Sequence, residues 1–293
     1  MAWCFVSPAS RGIGFALTRH LLQTTKVPIL ATSRSNTEDV RNSLLDGLKN
    51  VDVDRLTVLE LDCVGNGPLP IPDIPSTTPP FFPPEKPTSN IPCHHTDEFT
   101  ISTAADQARQ MFPPETHHLR LAYAIPGVLH PERCPGQIDS HHALESFKVN
   151  TIGPLLILKH FCDFLPRKNA VLEGEVGLPE RAVYVSMGAS VGSTSNNIMG
   201  GWYTYRASKA GVTSLAKSFD LYLQGVSGDN AISIAQHPGS VKTELSRDYW
   251  DRVEEDKLFS PELAAEKLVG VAGSVGLNGR GKFWDWRGEE VKP

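Results

Sequence analysis

The stretch Trp3-Cys4-Phe5-Val6-Ser7-Pro8-Ala9-Ser10-Arg11-Gly12-Ile13-Gly14 decides how the chain is read. Trp3 to Val6 is a short apolar run and reads as a strand. A Ser/Pro/Gly turn follows, and Gly12 to Thr24 carries Ile13, Leu17 and Leu21 at four-residue spacing, which predicts a helix. A glycine turn at that junction lets the backbone approach a pyrophosphate, and the helix start offers it unpaired N–H groups. A G-x-G after a strand says little alone. It gains weight here because it falls in the first strand-to-helix turn.

Working outward, Val27 to Thr32 and Leu56 to Leu61 read as the next strands. Phe99 to Met111 reads as a helix, Leu119 to Ile125 as a strand, and Ser140 to Leu165 as one long helix bent near Gly153-Pro154. Ala182 to Val185 is a strand, Tyr205 to Leu223 a helix, and Ile232 to Gln236 a further strand. Strands alternating with helices imply parallel crossovers, so the expected fold is α/β, a doubly wound parallel sheet in three α/β/α layers. No internal repeat is present. Ten of the 23 prolines fall between Pro68 and Pro92. Such a stretch forms neither helix nor central strand, so residues 65–95 are expected to be an extended or mobile surface insertion, a plain linker or a docking arm. The rest of 1–293 reads as one domain.

Length and composition agree with that picture. A chain of 293 residues can bury a full core, and its 40% hydrophobic and 21% charged shares are those of a globular protein. Twenty-eight Lys and Arg against 33 Asp and Glu give a net charge of −5, with no basic cluster for nucleic acid. No apolar run approaches the roughly 20 residues of a membrane helix, and Met1 to Val6 lacks the basic start of a signal peptide. The five cysteines are scattered and form no C-x-x-C pair, which points to a reducing compartment, the cytoplasm. Cys4 and Cys162 fall in apolar runs and read as core thiols. His94-His95, His117-His118 and His141-His142 are adjacent pairs whose rings point apart, so no metal site is expected.

Tyr205-Arg206-Ala207-Ser208-Lys209 places a phenol and an ammonium on one helix face. A cation there favours the phenolate and brings a group of ordinary pKa about 10 toward a useful range for proton transfer. The spacing is common on solvated helices; its company gives it meaning. With Ser10-Arg11-Gly12-Ile13-Gly14, Leu61-Asp62, Asn150-Thr151-Ile152-Gly153-Pro154 and Pro238-Gly239-Ser240-Val241-Lys242-Thr243, in that order and separation, the chain resembles the short-chain dehydrogenase/reductase family over nearly its whole length. Gly200-Gly201-Trp202-Tyr203-Thr204-Tyr205-Arg206 and Gly281-Lys282-Phe283-Trp284-Asp285-Trp286 resemble its C-factor-like carbonyl reductase branch.

The resemblance implies roles residue by residue. Tyr205 would protonate the carbonyl oxygen as hydride arrives. Lys209 would bind the nicotinamide ribose and lower the tyrosine's pKa, and Asn150 would hold a water linking Lys209 to solvent. Ser10, Arg11, Gly12, Ile13 and Gly14 would cradle the pyrophosphate, Asp62 would contact the adenine, and Val241 and Thr243 would hold the carboxamide. An acid just past the second strand would repel a ribose 2′-phosphate. Here Ser33 stands there, followed by Arg34, with Arg11 in the glycine turn; two guanidinium groups suit a phosphate dianion, so NADP(H) is the expected cofactor. The expected substrate is a small carbonyl compound or its alcohol, and the resemblance implies a dimer or tetramer of identical chains.

Three positions depart from the family pattern. Pro8 replaces the first turn glycine, fixing φ and removing an N–H. Ile125-Pro126-Gly127 stands where Asn-Ala-Gly is usual. The serine expected after the Ala182–Val185 strand falls on Met187 or Ala189, with Ser186 and Ser190 flanking it; Ser186, which ends the strand, is favoured to hold the substrate carbonyl. Trp202 and Tyr203 would line the pocket or simply pack, and Glu244 to Asp256, polar and charged, reads as a mobile lid. The departures also admit another class of function, a fold kept as a non-catalytic dinucleotide-binding or partner-binding scaffold.

Overall fold

The computed structural model describes residues 1–65 and 98–293. The proline-rich stretch expected as a surface insertion therefore lies outside the described residues, apart from its first residue. Six strands follow one another along the chain: β1 (Ala2–Ser7), β2 (Ile29–Ser33), β3 (Leu56–Glu60), β4 (His118–Ala124), β5 (Ala182–Met187) and β6 (Ala231–His237). A short pair, β7 (Ser240–Val241) and β8 (Leu258–Phe259), precedes β9 (Phe283–Asp285). The main sheet has the order β3-β2-β1-β4-β5-β6-β9, and every pairing in it is parallel. This is a Rossmann-type doubly wound α/β fold in a single domain.

Among the described residues seven α-helices connect the strands: α1 (Gly12–Thr24), α2 (Thr37–Leu45), α3 (Glu98–Met111), α4 (Ser140–Phe147), α5 (Gly153–Phe161), α6 (Tyr203–Val226) and α7 (Pro261–Ser274). They bury the sheet from both faces, because parallel strands carry apolar residues on both sides. On one face Leu17 and Leu21 of α1 and Leu268 of α7 pack over Cys4, Val6, Val183 and Val185. On the other, Ile101 of α3, Phe161 of α5 and Phe219 of α6 pack over Trp3, Phe5 and Tyr184. Phe5 stacks on Phe161 with centroids 4.3 Å apart, and Trp3 on Phe112 at 4.5 Å. Burying one such side chain stabilises by about 1.5–3 kcal/mol, so the two layers outweigh any single surface contact.

Two sequence expectations change. The long helix over Ser140–Leu165 is broken: α4 ends at Phe147, a π-helical turn spans Lys148–Ile152, and α5 begins at Gly153. The helix expected from Tyr205 starts two residues earlier and runs to Val226. Strand order reverses between β1 and β4, and the crevice outside their carboxyl ends is where such folds take ligands. There Ile125 N–H donates 2.7 Å to the Ser7 carbonyl, joining the two turns that line the crevice.

Candidate active site

The first turn of α6 carries Tyr205, and Lys209 follows one turn later on the same face. Both are buried, and the Lys209 ammonium lies 6.0 Å from the centre of the Tyr205 ring. Lys209 Nζ donates to the Met187 carbonyl at 2.9 Å and reaches the Pro126 carbonyl at 3.5 Å. Burial pushes the Tyr205 phenol up to about 12 and brings Lys209 down to about 8. The sequence reading expected the lysine to lower the tyrosine. Instead, loss of water disfavours the charged form of each group and dominates both.

Asn150 sits in the π-helical turn and is fully buried. Its side-chain oxygen accepts from Val128 N–H at 2.8 Å, and its amide donates to the Val128 carbonyl and to Ser208 Oγ, each at 3.0 Å. Ser208 Oγ in turn donates 2.9 Å to the Tyr205 carbonyl. Asn150 is thus tied to the helix of Tyr205 through Ser208, a link the sequence reading missed, and both its amide hydrogens are committed to protein. Gly127 leaves room between the polar tips: a Cβ there would lie 3.6 Å from Lys209 Nζ and 3.8 Å from Asn150 Oδ1.

The serine question is set by strand alternation. Met187 ends β5 with its side chain in the cluster of Val183 and Val185, on the α1 and α7 face. Ser186 falls with Ala182 and Tyr184 on the face that α6 covers. Ser190 opens the 3-10 turn Ser190–Gly192, where Gly192 presses on Lys209; a Cβ would come within 2.8 Å of the Lys209 backbone. Arg206, also missed from sequence, binds this connection to α6 through the carbonyls of Gly201, Val191 and Gly200 at 2.9, 3.0 and 3.1 Å.

The residues expected to hold a dinucleotide gather at the crevice. Pro8 does not spoil the turn, since Ala9 N–H reaches the Thr32 carbonyl at 2.8 Å and the chain enters α1 at Gly12. A Cβ on Gly14 would fall 1.9 Å from the Pro8 carbonyl oxygen, so only glycine fits. Gly12 has φ +58°, and a Cβ there would lie 3.3 Å from Thr243 Cγ2; the two ends of the expected cofactor site meet at this contact. Among the described residues no side chain caps the start of α1, and no acid lies in its first turn, an arrangement suited to an anion. Ser10, Arg11 and Arg34 are exposed, with Ile13 half-buried beside them, and neither arginine forms an ion pair among the described residues. Asp62, after β3, accepts Val64 N–H at 2.7 Å and is half-buried. Val241 is buried in β7. This constellation fits a nicotinamide dinucleotide.

Over the site, Glu244–Arg252 is a 3-10 segment, begun by a reciprocal Thr243–Ser246 cap. It rests on Trp202 through Tyr249, ring centroids 4.9 Å apart, and Trp202 stands 6.0 Å from Tyr205. The expected lid is therefore seated beside the tyrosine. Tyr203 is exposed and Trp202 half-buried. The described histidines, cysteines and acids include no group arranged to hold a metal.

No family model matches the chain. It is 31% identical over 137 residues to 1-hydroxy-2-glutathionyl-2-methyl-3-butene dehydrogenase of Rhodococcus sp. (strain AD45), covering 46% of this chain and 51% of that one. The chain thus spans about half the length of that relative. It is 26% identical over 157 residues to C-signal of Myxococcus xanthus, covering 53% of this chain and 81% of that one. The solved structure of an NADPH-bound carbonyl reductase from chicken fatty liver superposes with a TM-score of 0.72 at 19% identity, covering 100% and 98% of the two chains. At that identity the likeness is one of fold.

Proposed function

We propose that the chain is a short-chain dehydrogenase/reductase, an NADP(H)-dependent oxidoreductase that reduces a ketone or aldehyde carbonyl, or oxidises the matching alcohol. The observation that carries this reading is the convergence of Tyr205, Lys209 and Asn150 in one buried cluster beside the crevice. When bound, the nicotinamide supplies the hydride. Tyr205 holds the proton for the carbonyl oxygen, and its raised pKa keeps that proton in place at neutral pH, as an acid for reduction requires. Lys209, whose ammonium is held by the Met187 and Pro126 carbonyls, would bind the nicotinamide ribose. Ser186 orients the substrate carbonyl from the α6 face. Arg34 and Arg11 would hold the 2′-phosphate, and the start of α1, with no side-chain cap and with its glycines, would hold the pyrophosphate.

We also take the protein to act on small molecules, without nucleic acid or membrane, in the cytoplasm, and as a dimer or tetramer of identical chains. Among the described residues no helix is long and apolar enough to cross a membrane, and Cys4, Cys63, Cys134 and Cys162 are free.

The test is a titration with NADPH and then NADH, followed by tryptophan quenching, and a screen of carbonyl compounds with Tyr205→Phe as control. Saturable binding that prefers NADPH, with turnover lost in the variant, supports the reading. A second reading, a scaffold without catalysis, draws on Pro8, on Ile125, and on Met187 or Ala189 at the place of the expected serine; any turnover abolished by Tyr205→Phe removes it.

A further inference from the structure

The segment after β4 touches three parts of the site. The Pro126 carbonyl faces Lys209, the Val128 backbone holds Asn150, and Glu132 holds the start of α6. That start has no cap of its own. Trp202 at the N-cap has φ 52°, contributes no side-chain acceptor, and the first turn of α6 contains no acid. A helix start leaves N–H groups without partners. Glu132, only 3% exposed, supplies them from across the site. Its Oε2 accepts Thr204 N–H at 3.0 Å, its Oε1 accepts the Thr204 hydroxyl, and its main-chain carbonyl accepts Trp202 N–H at 2.6 Å. Gly201 permits the approach: its φ is +67°, and a Cβ would lie 3.1 Å from the Glu132 carbonyl.

A local Ser or Asp would cap the helix equally well. A carboxylate buried on a separate segment, with no cationic partner among the described residues, is a costlier arrangement. What it adds is registry, because the residue after Thr204 is Tyr205. We infer that Glu132 is a positioning residue: it fixes the first turn of α6, and with it the Tyr205 phenol, relative to Lys209 and Asn150, which the same segment holds. The inference rests on the carbonyl-reductase reading of this site.

The experiment compares Glu132→Ala, Glu132→Gln and Thr204→Val in the full chain. It reads melting temperature, NADPH affinity by tryptophan quenching, and kcat and KM with a carbonyl compound from the screen. It also reads Tyr205 ionisation, as the ultraviolet difference between each protein and its Tyr205→Phe counterpart. In Glu132→Ala, kcat is expected to fall between about tenfold and a hundredfold with NADPH affinity unchanged. Glu132→Gln, which keeps an acceptor for Thr204 N–H, should recover most of the loss, and the ionisation midpoint should move in Glu132→Ala. A lowered melting temperature with kcat and midpoint unchanged would make Glu132 a plain helix cap and overturn the inference. If the wild type turns over no carbonyl, the functional reading fails instead. The midpoint then decides: a shift of about half a pH unit or more sustains the positioning role and no shift ends it. If Glu132→Ala does not fold, Thr204→Val, which removes only the hydroxyl contact, is read in the same way.

Discussion

The ammonium of Lys209 donates 2.9 Å to the carbonyl of Met187, one of the two residues, with Ala189, on which the expected substrate-binding serine falls. Met187 therefore serves the site through its backbone, while its side chain joins the opposite face of the sheet with Val183 and Val185. We propose that the hydroxyl task falls to Ser186, on the α6 face. Ser186→Ala should lower kcat/KM for carbonyl reduction by about a hundredfold, the order of one lost donor to a developing oxyanion, whereas Ser190→Ala should change it little. Steady-state kinetics of both variants checks this; the reverse ranking would move the role to Ser190.

Lys209 lies near 8 and Tyr205 near 12, both displaced by burial. The lysine is charged below about 8 and neutral above it, while the phenol stays protonated across the working range. A profile of kcat/KM for reduction should thus be flat at low pH and fall about tenfold per unit above pH 8 as the lysine loses its charge. The same shift acts on stability with a definite sign. The unfolded lysine titrates near 10.5, so between about 8 and 10.5 the unfolded chain binds more protons and this group's contribution to stability rises with pH. A reduction rate that stays level through pH 9.5 would show that the charge of Lys209 is not used.

What the sequence made legible follows from where each signal resides. The bounds Gly12–Thr24 are local, set by a glycine turn and a four-residue apolar spacing, and the helix has those bounds. The start of α6 is not local: Arg206, Trp202 and the distant Glu132 hold it, so counting from Tyr205 misses its first two residues. The break at Lys148–Ile152 is likewise a tertiary event, the turn whose Asn150 bonds Val128 and Ser208. Two helices escape periodicity for another reason. In α2 only Leu44 is buried, and α7 buries mainly small residues, Ala264, Ala265 and Ala272, whose pattern is faint. That Tyr205, Lys209 and Asn150 lie together was legible, because their order and spacing along the chain point to one site; the direction of the Tyr205 shift was not, because it depends on how much water the fold removes.

Arg34 follows the last residue of β2, and Arg11 precedes α1; both are exposed and neither is committed to an acid among the described residues. A 2′-phosphate would meet two guanidinium groups there. Arg34→Ala should weaken NADPH binding by about ten- to a hundredfold, the size of a lost charge-assisted hydrogen bond, and leave NADH binding unchanged. Arg34→Asp should go further and favour NADH, since a carboxylate repels the phosphate and accepts from the ribose hydroxyl. Fluorescence titration of each variant with both nucleotides decides it; equal weakening for NADH would place Arg34 on the shared part of the cofactor.

Gly14 and Gly12 make unequal demands on the turn. At Gly14 a Cβ would sit 1.9 Å from the Pro8 carbonyl oxygen, a backbone atom with no flexible end to move aside. Gly14→Ala must open the turn that joins β1 to α1, so both melting temperature and NADPH binding should drop, the latter below detection. At Gly12 the obstacle is Thr243 Cγ2 at 3.3 Å, the tip of a side chain, together with the φ of +58°. Gly12→Ala should therefore cost about 1 kcal/mol, chiefly from the left-handed backbone. Its effect on NADPH should track Thr243, because that side chain must turn away from where the carboxamide is expected. Thr243→Ser in the Gly12→Ala background removes the obstructing methyl and should restore part of the lost affinity; a double variant no better than Gly12→Ala would assign the loss to backbone strain alone.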